Sequence, residues 1–306
     1  MCLLFMYLND DECGDGYRLI IANNRDEQWD RPTKPLSFWT DNEYCISGQD
    51  MTPGKENGTW LGVSKKGRIG ILLNILGVND PKKKGRGYLV NEYISSQKDG
   101  QEYINETIKP CSSNYNSFNL ILMNLSFPKT NGICCSNFDG VLTESDILNG
   151  NSQCYLLKLQ FIHILVCVFT CDNSSPGRPW QKSVQNRERF GNIVKECNHK
   201  EKKDQLVQEL LNLLTDRKTY NNDQQLVSQA AVSNMEKDII LERSASFVWT
   251  PKLRYGTRTH SIILVDREGN CDFIEKTMAK PVNPDNVKWE TSSFKFKFSN
   301  CTTPHL

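Results

Sequence analysis

The chain opens with an apolar run at residues 2–8 (CLLFMYL), then a loop of turn formers (DDECGDG), then a second apolar run at 17–23 (YRLIIAN). Two strand-like runs separated by a turn-rich loop predict an antiparallel hairpin. This feature constrains the fold more than any other, because the hairpin begins at residue 2. Antiparallel pairing sets the start of the first strand beside the end of the second. Cys2 is therefore expected next to Asn23–Asp26, in the polar run NNRDE that ends a buried strand.

The remaining pattern alternates blocks of strands and helices. Residues 60–64 and 68–75 read as a second hairpin around Lys65-Lys66-Gly67. RGYLVNEYISSQ has the spacing of an amphipathic helix, and SFNLILMNL reads as a strand. From about 179 to 217 helical periodicity dominates. FVWT, TRTHSIILVD, CDFIEKT and SSFKFKF close the chain as strands. Such blocks suggest sheets covered by helices rather than a strict βαβ repeat. A length of 306 residues with 38% hydrophobic residues is enough for one large domain. Lys and Arg total 37 against 36 Asp and Glu, which gives no signal for nucleic acid or for an anionic membrane.

Twelve cysteines lack regular spacing and form no C-x-x-C pair. Residues 1–8 lack a basic flank and are too short for a secretory signal. Together these predict mostly free thiols in a reducing compartment. Cys197 and His199 are too few for a zinc site, so no metal is expected. The basic stretch PKKKGR reads as a solvated loop. The run at 154–171 (CYLLKLQFIHILVCVFTC) is apolar over about eighteen residues, close to the lower limit for a membrane span. It admits a buried strand pair, a short span, or an inserted or misread segment.

Cys2 is the first candidate for chemistry. Removal of Met1 would leave a thiol and a free α-amine on one residue. An α-amine with a pKa of about 7.7–8.0 can take the thiol proton without a histidine. The thiolate is then the nucleophile. Asp26 is placed to hold the ammonium, and Arg25 to pin a carboxylate or an oxyanion. Asn24 and Asn23 are neutral donors for a tetrahedral oxyanion. Asn74, in ILLNIL, reads as a buried amide that needs a partner or a task. Arg258, in YGTRTH, is a candidate for binding an anionic group.

NNRDE, GTWLGVSKKG, KKKGRGYLV, SFNLIL, NSSPGRPWQK and YGTRTHSIILVD, in that order, resemble the NRDE family over nearly the whole chain. The resemblance implies an α+β fold, a four-layer αββα sandwich similar to N-terminal nucleophile hydrolases such as the choloylglycine hydrolases. It implies one domain over 1–306, with an inserted or misread apolar segment at 154–171. Cys2 matches the nucleophile position, Asp26 the carboxylate that holds the amine, Asn74 and Asn173 the amide donors, and Arg258 the late arginine. Two departures accompany the match. Asn23 stands where choloylglycine-type enzymes carry an arginine, and the 154–171 run stands where a short Gly-Leu-Ser-Asn-like stretch is expected. In function the resemblance implies Golgi organisation and secretion, with links to intracellular haem trafficking and to lipid and mitochondrial homeostasis. No cofactor is required, and haem is a candidate cargo. Expected partners are a small or lipid-like ligand and Golgi or secretory proteins, with no nucleic acid and at most peripheral membrane contact. The expected location is the cytoplasm, with Golgi or mitochondrial association. The alternative is an amidohydrolase or acyltransferase acting through Cys2 on an amide or thioester.

Overall fold

The computed structural model describes residues 2–10, 14–126, 129–147, 156–161 and 164–299, with the backbone alone along 156–161 and 164–167. The strands, in chain order, are β1 (Leu3–Leu8), β2 (Tyr17–Gln28), β3 (Thr33–Phe38), β4 (Cys45–Asp50), β5 (Leu61–Ser64), β6 (Arg68–Asn74), β7 (Phe118–Asn124) and β8 (Asn131–Phe138). They continue as β9 (Val141–Asp146), β10 (Leu156–Phe161), β11 (Ile164–Asp172), β12 (Trp249–Thr250), β13 (Tyr255–Asp266), β14 (Asn270–Met278) and β15 (Trp289–Lys297). The α-helices are α1 (Tyr88–Ser95), α2 (Gly100–Tyr103), α3 (Gln181–Cys197), α4 (Lys203–Leu214), α5 (Gln224–Ala231) and α6 (Lys237–Arg243).

The strands form two antiparallel sheets. One runs β10-β11-β1-β2-β13-β14-β15, with β12 attached to β13; the other runs β3-β4-β5-β6-β7-β8-β9. Alternation along β1 shows how the layers arise. Leu4, Met6 and Leu8 point into the space between the sheets, where they join Ile21 and Ile263 and meet Leu61, Val63, Ile71 and Ile121. Leu3, Phe5 and Tyr7 point the other way, against Phe190 and Val194 of α3 and Leu206 and Leu210 of α4. The second sheet repeats the scheme, with Leu72, Leu120 and Leu122 packed against Leu89, Val90, Tyr93 and Ile94 of α1. Both faces of each sheet are covered, so its central strands are apolar runs with little alternation. Each fully buried Leu or Ile contributes roughly 1.5–3 kcal/mol. The result is the four-layer αββα sandwich that the resemblance implies.

Gly62 and Gly70 pair across β5 and β6 beneath α1. A Cβ at Gly62 would stand 2.6 Å from Ile94, and one at Gly70 would stand 2.9 Å from Val90. These glycines let the helix approach the sheet, which explains their place in otherwise apolar strands.

The predicted N-terminal hairpin is present, with Leu3 opposite Asn24 and Leu8 opposite Leu19. The helix expected after Gly85 is α1, and the helical stretch after 179 is α3 and α4. FVWT contributes only the two residues of β12. Within the 154–171 run, residues 156–161 and 164–171 enter the first sheet as the antiparallel pair β10–β11, and β11 is the neighbour of β1. Among the described residues no helix is long and apolar enough to cross a membrane. Cys154 and His163 lie outside the described residues. Cys2, Cys45, Cys111, Cys134, Cys135, Cys171, Cys197 and Cys271 are free thiols.

Candidate active site

The two neighbours of β1 place Cys2. β2 pairs Leu3 with Asn24, and β11 pairs Leu3 with Asp172. Continuing both registers by one residue sets Cys2 between Arg25 and Asn173. This is the end of the sandwich where the sheets open into a cleft of about 530 Å³, a size suited to a small-molecule ligand. Cys2, Arg25, Asp26, Asn74 and Asn173 all line it, with Trp60, Tyr88, Arg86 and Tyr255 as walls. Seven cationic side chains against four carboxylates line the cleft, so its balance is positive.

Cys2 is half-buried against the inter-sheet core. Burial pushes its thiol above the usual range. The chain's α-ammonium pulls it down, the Asp26 carboxylate pushes it up, and a backbone hydrogen bond at Asp26 and the Arg25 charge pull it down. The Arg25 guanidinium lies 3.9 Å above the Trp60 ring and 3.7 Å from a Glu27 oxygen. Its Nη1 is buried without a hydrogen-bond partner. Burial alone would raise the Glu27 carboxyl, but Arg25 and Arg31 outweigh it and hold the group below the usual range. The Asp26 Oδ1 accepts a hydrogen bond from Thr257 Oγ1 at 2.6 Å, and its carbonyl accepts one from the Tyr255 hydroxyl at 3.2 Å. A register shift between Thr257 and Thr259 accompanies Asp26, where β13 leaves regular pairing with β2.

Asn173 follows the end of β11, where Asp172 fixes the turn. The Asp172 carboxylate accepts from Ser174 N at 2.8 Å, Trp180 N at 3.0 Å and Ser183 Oγ at 2.5 Å. The Asn173 amide nitrogen donates to the Asn74 carbonyl, while its Oδ1 is buried without a partner.

Three expectations change. Asn24 does not face the cleft. Strand alternation turns it to the helix side, where Nδ2 donates to Leu214 O and Ser246 O and Oδ1 accepts from His260. It is a structural tie, and the oxyanion role does not fit its position. Asn23 likewise donates to Leu3 O within the hairpin. Arg258 is buried beneath the turn after β2, where its Nη1 donates to Gln28 O at 2.9 Å and Arg31 O at 2.8 Å. It does not line the cleft; burial and the charge of Arg25 push it down to about 10. Asn74 lines the cleft as expected, but its side chain is exposed at the last position of β6 rather than buried in an apolar strand.

Other residues of the site were not singled out by sequence reasoning. Arg86 donates to Ser117 O at 2.6 Å and Asn79 Oδ1 at 3.3 Å. Burial pushes its guanidinium down to about 10. Its signal was in the basic loop PKKKGR, read only as a solvated loop. Lys182 is fully buried in the first turn of α3, on the same face as Asn186, Phe190 and Ile193. Arg243, from the end of α6, lies with its guanidinium 4.5 Å above the Tyr255 ring.

Among the described residues no group of three or more His, Cys, Asp or Glu is arranged to hold a metal ion. His260 is buried by Asn24, away from the cleft lining.

Comparison with known proteins sets this site in a family. The chain is 32% identical to the Transport and Golgi organization 2 homolog of Mus musculus over 301 residues, covering 97% of this chain and 99% of that one. It is also 32% identical to the Homo sapiens homolog, over 97% and 99% of the two chains. It is 28% identical to the Drosophila melanogaster protein, over 98% and 99%. A variant of conjugated bile acid hydrolase from Clostridium perfringens aligns over 99% of both chains at 12% identity, with a TM-score of 0.44. An N-acylethanolamine-hydrolyzing acid amidase ortholog from Caenorhabditis elegans aligns over 68% of this chain and 85% of its own, at 12% identity and a TM-score of 0.41. The family model described as Transport and Golgi organisation 2 matches residues 1–280, a stretch that contains every residue lining the cleft. On that match and the near full-length relatives, this chain belongs to the Transport and Golgi organisation 2 family.

Proposed function

We propose that this protein works in Golgi organisation, the role its relatives' names carry, and in secretion, and that it does so through the cleft at Cys2. The reading of that cleft is an N-terminal cysteine nucleophile acting on an amide or thioester. One observation carries it: the hairpin register sets Cys2 beside Arg25 and Asp26 in a cleft sized for a small or lipid-like ligand.

The chemistry follows from the groups present. With Met1 removed, the α-amine of Cys2 takes the thiol proton, and Asp26 stabilises the ammonium that results. The thiolate adds to the carbonyl carbon, and the Asn173 and Asn74 amides are the available neutral donors for the oxyanion. The bond to the leaving amine or thiol breaks as the ammonium returns its proton to it. Water, or an acceptor nucleophile, then cleaves the acyl-thioester and restores the thiol.

Two measurements test this reading together. Intact mass should show loss of Met1 and an unmodified Cys2 amine. An acyl-type probe should then label the wild type and leave folded Cys2→Ala unlabelled. Equal labelling of both proteins sinks the nucleophile role.

A second reading, a cleft that holds a ligand without turnover, is favoured by the burial that pushes the Cys2 thiol up. Haem or a lipid-like molecule is the cargo in this reading, and the Cys2 thiol and the Tyr88 and Tyr255 hydroxyls are the iron-binding groups of the lining. A Soret shift on titration with haemin, lost in Cys2→Ala, supports it; an unshifted band counts against haem. Either reading has the protein in the cytoplasm with Golgi or mitochondrial association, in peripheral contact with membranes and with Golgi or secretory partners. Recovery in a carbonate-resistant membrane fraction would contradict that placement.

A further inference from the structure

Arg258 is the extra residue of a bulge where β13 passes the end of β2. His260 stands opposite Asn24 and Thr259 opposite Arg25, so an unbroken ladder would set Arg258 opposite Asp26. The bulge sets Thr257 there instead. Arg258 is fixed by the two donations of its Nη1, to Gln28 O and Arg31 O in the turn after β2. A hydroxyl thereby takes the place of a guanidinium beside the cleft carboxyl.

The Thr257 hydroxyl carries a single hydrogen, and its surroundings fix where that hydrogen points. Thr257 is fully buried, so water does not compete for it. Val248 N donates to Oγ1 at 2.9 Å, and Oγ1 donates to Asp26 Oδ1 at 2.6 Å. Val248 is itself held to β13. Thr257 N donates to Val248 O at 2.8 Å, and β12 follows at once, with Trp249 opposite Gly256. A Cβ at Gly256 would stand 2.3 Å from Val248 O, so only a glycine permits that approach. Tyr255 adds a second tie, its hydroxyl donating to Asp26 O at 3.2 Å. One short segment of β13 therefore grips both the backbone and the carboxyl of Asp26.

We propose that Thr257 is a positioning residue of the site: together with the bulge at Arg258, it fixes the orientation of the Asp26 carboxyl beside the N-terminal cysteine. This rests on the reading of Cys2 as an N-terminal nucleophile with Asp26 as its partner. Thr257 does not line the cleft, so it acts on a substrate only through Asp26. The physical reason is geometric. A proton-transfer site loses rate when a reacting group is displaced by about 1 Å, and a buried donor on one carboxyl oxygen resists that displacement.

The test uses the full chain with Met1 removed and p-nitrophenyl octanoate as the acyl probe. The burst of p-nitrophenol gives the acylation rate constant and the half-saturating ester concentration, and mass spectrometry locates the acyl group at Cys2. Thr257→Val keeps the shape of the side chain and removes the hydroxyl. It also leaves the Val248 amide without an acceptor, so Thr257→Ala, with room for a water there, is measured beside it. Thr257→Ser keeps the hydroxyl. Each variant is checked by a thermal melt, and a partly unfolded population lowers the burst amplitude rather than the rate constant.

Without the hydroxyl the rate constant should fall about tenfold, with the half-saturating concentration unchanged. Thr257→Ser should stay within about twofold of the wild type. In an Asp26→Asn background, removing the hydroxyl should change the rate constant by less than about twofold, because Thr257 acts through that carboxyl. A wild-type rate constant in folded Thr257→Val or Thr257→Ala overturns the proposal. So does a fall in Thr257→Ser as deep as theirs, or a loss of about tenfold that persists in Asp26→Asn. A wild type that carries no acyl group on Cys2 overturns the nucleophile reading, and this role with it.

Discussion

On the helix side of β2, Asn24 gives Nδ2 to the carbonyls of Leu214 and Ser246, each at 2.8 Å, and its Oδ1 accepts from His260 Nδ1 at 2.6 Å. One residue later, on the cleft side, Arg25 Nη1 is buried with no partner, and across the cleft floor so is Asn173 Oδ1. Both regions are polar and both lie at the end of the same strand. In the first, the amide is fully paired, and burial pushes His260 down to about 3, so the ring is neutral. In the second, charges and amides retain unmet hydrogen-bonding capacity beside a thiol. The Asn24 amide is spent on the fold, with the ring Nε2 of His260 left unpaired beside it, whereas next to the cleft thiol a cation and an amide oxygen keep capacity that a ligand can use.

The contrast predicts opposite mutational signatures. Asn24→Ala strands two carbonyls and one ring N–H in the interior, and should cost about 3–4 kcal/mol in urea unfolding. A stable Asn24→Ala protein that had lost acyl-probe labelling would reverse the assignment of the two regions. Asp26→Asn should do the converse. Labelling at Cys2 should fall by about 100-fold, the scale of a lost charge at a proton-transfer site, with a smaller change in stability. A fall in stability with labelling intact would make Asp26 part of the structural set.

A third polar group sharpens the comparison from inside the sandwich. Glu275 on β14 is buried between the sheets, and its Oε1 accepts from Leu36 N of β3 at 2.9 Å. Burial pushes its carboxyl up to about 7. The folded state therefore holds this proton more tightly than the unfolded chain does. Glu275 contributes its stability in full below about 4.5, and that contribution is lost as pH rises toward 7. The loss is roughly 2–3 kcal/mol across that window. Glu275→Gln should remove this part of the pH dependence and raise the urea midpoint at pH 8. An unchanged difference between pH 5 and pH 8 in the variant would assign the slope to other groups.

Much of this was legible before folding was considered. The two apolar runs and the turn-rich loop lead directly to the β1–β2 hairpin, because register in a hairpin is local. The same locality brings Cys2 to Arg25 and Asp26. The long apolar faces of α3 and α4 were visible by periodicity. Strands β4 and β9 were not. CISGQD has no clean alternation because it is buried throughout, and VLTESD is a half-exposed edge strand. Arg258 shows the limit of a motif match: its position in YGTRTH fits a late cleft arginine, yet the turn after β2 covers it and binds it through carbonyls.

The sequence by itself determined the hairpin, the helix-and-strand blocks and the neighbourhood of the N-terminal cysteine, since each depends on residues close along the chain. Tertiary structure alone decided which polar residue serves the cleft and which serves the fold. The partners of Asn24 lie 190, 222 and 236 residues away, and Arg258 donates to carbonyls about as distant, at separations of 230 and 227. Alternation states that neighbours on a strand face opposite ways. What covers each face depends on how the four layers stack, and that is settled only when the distant segments pack.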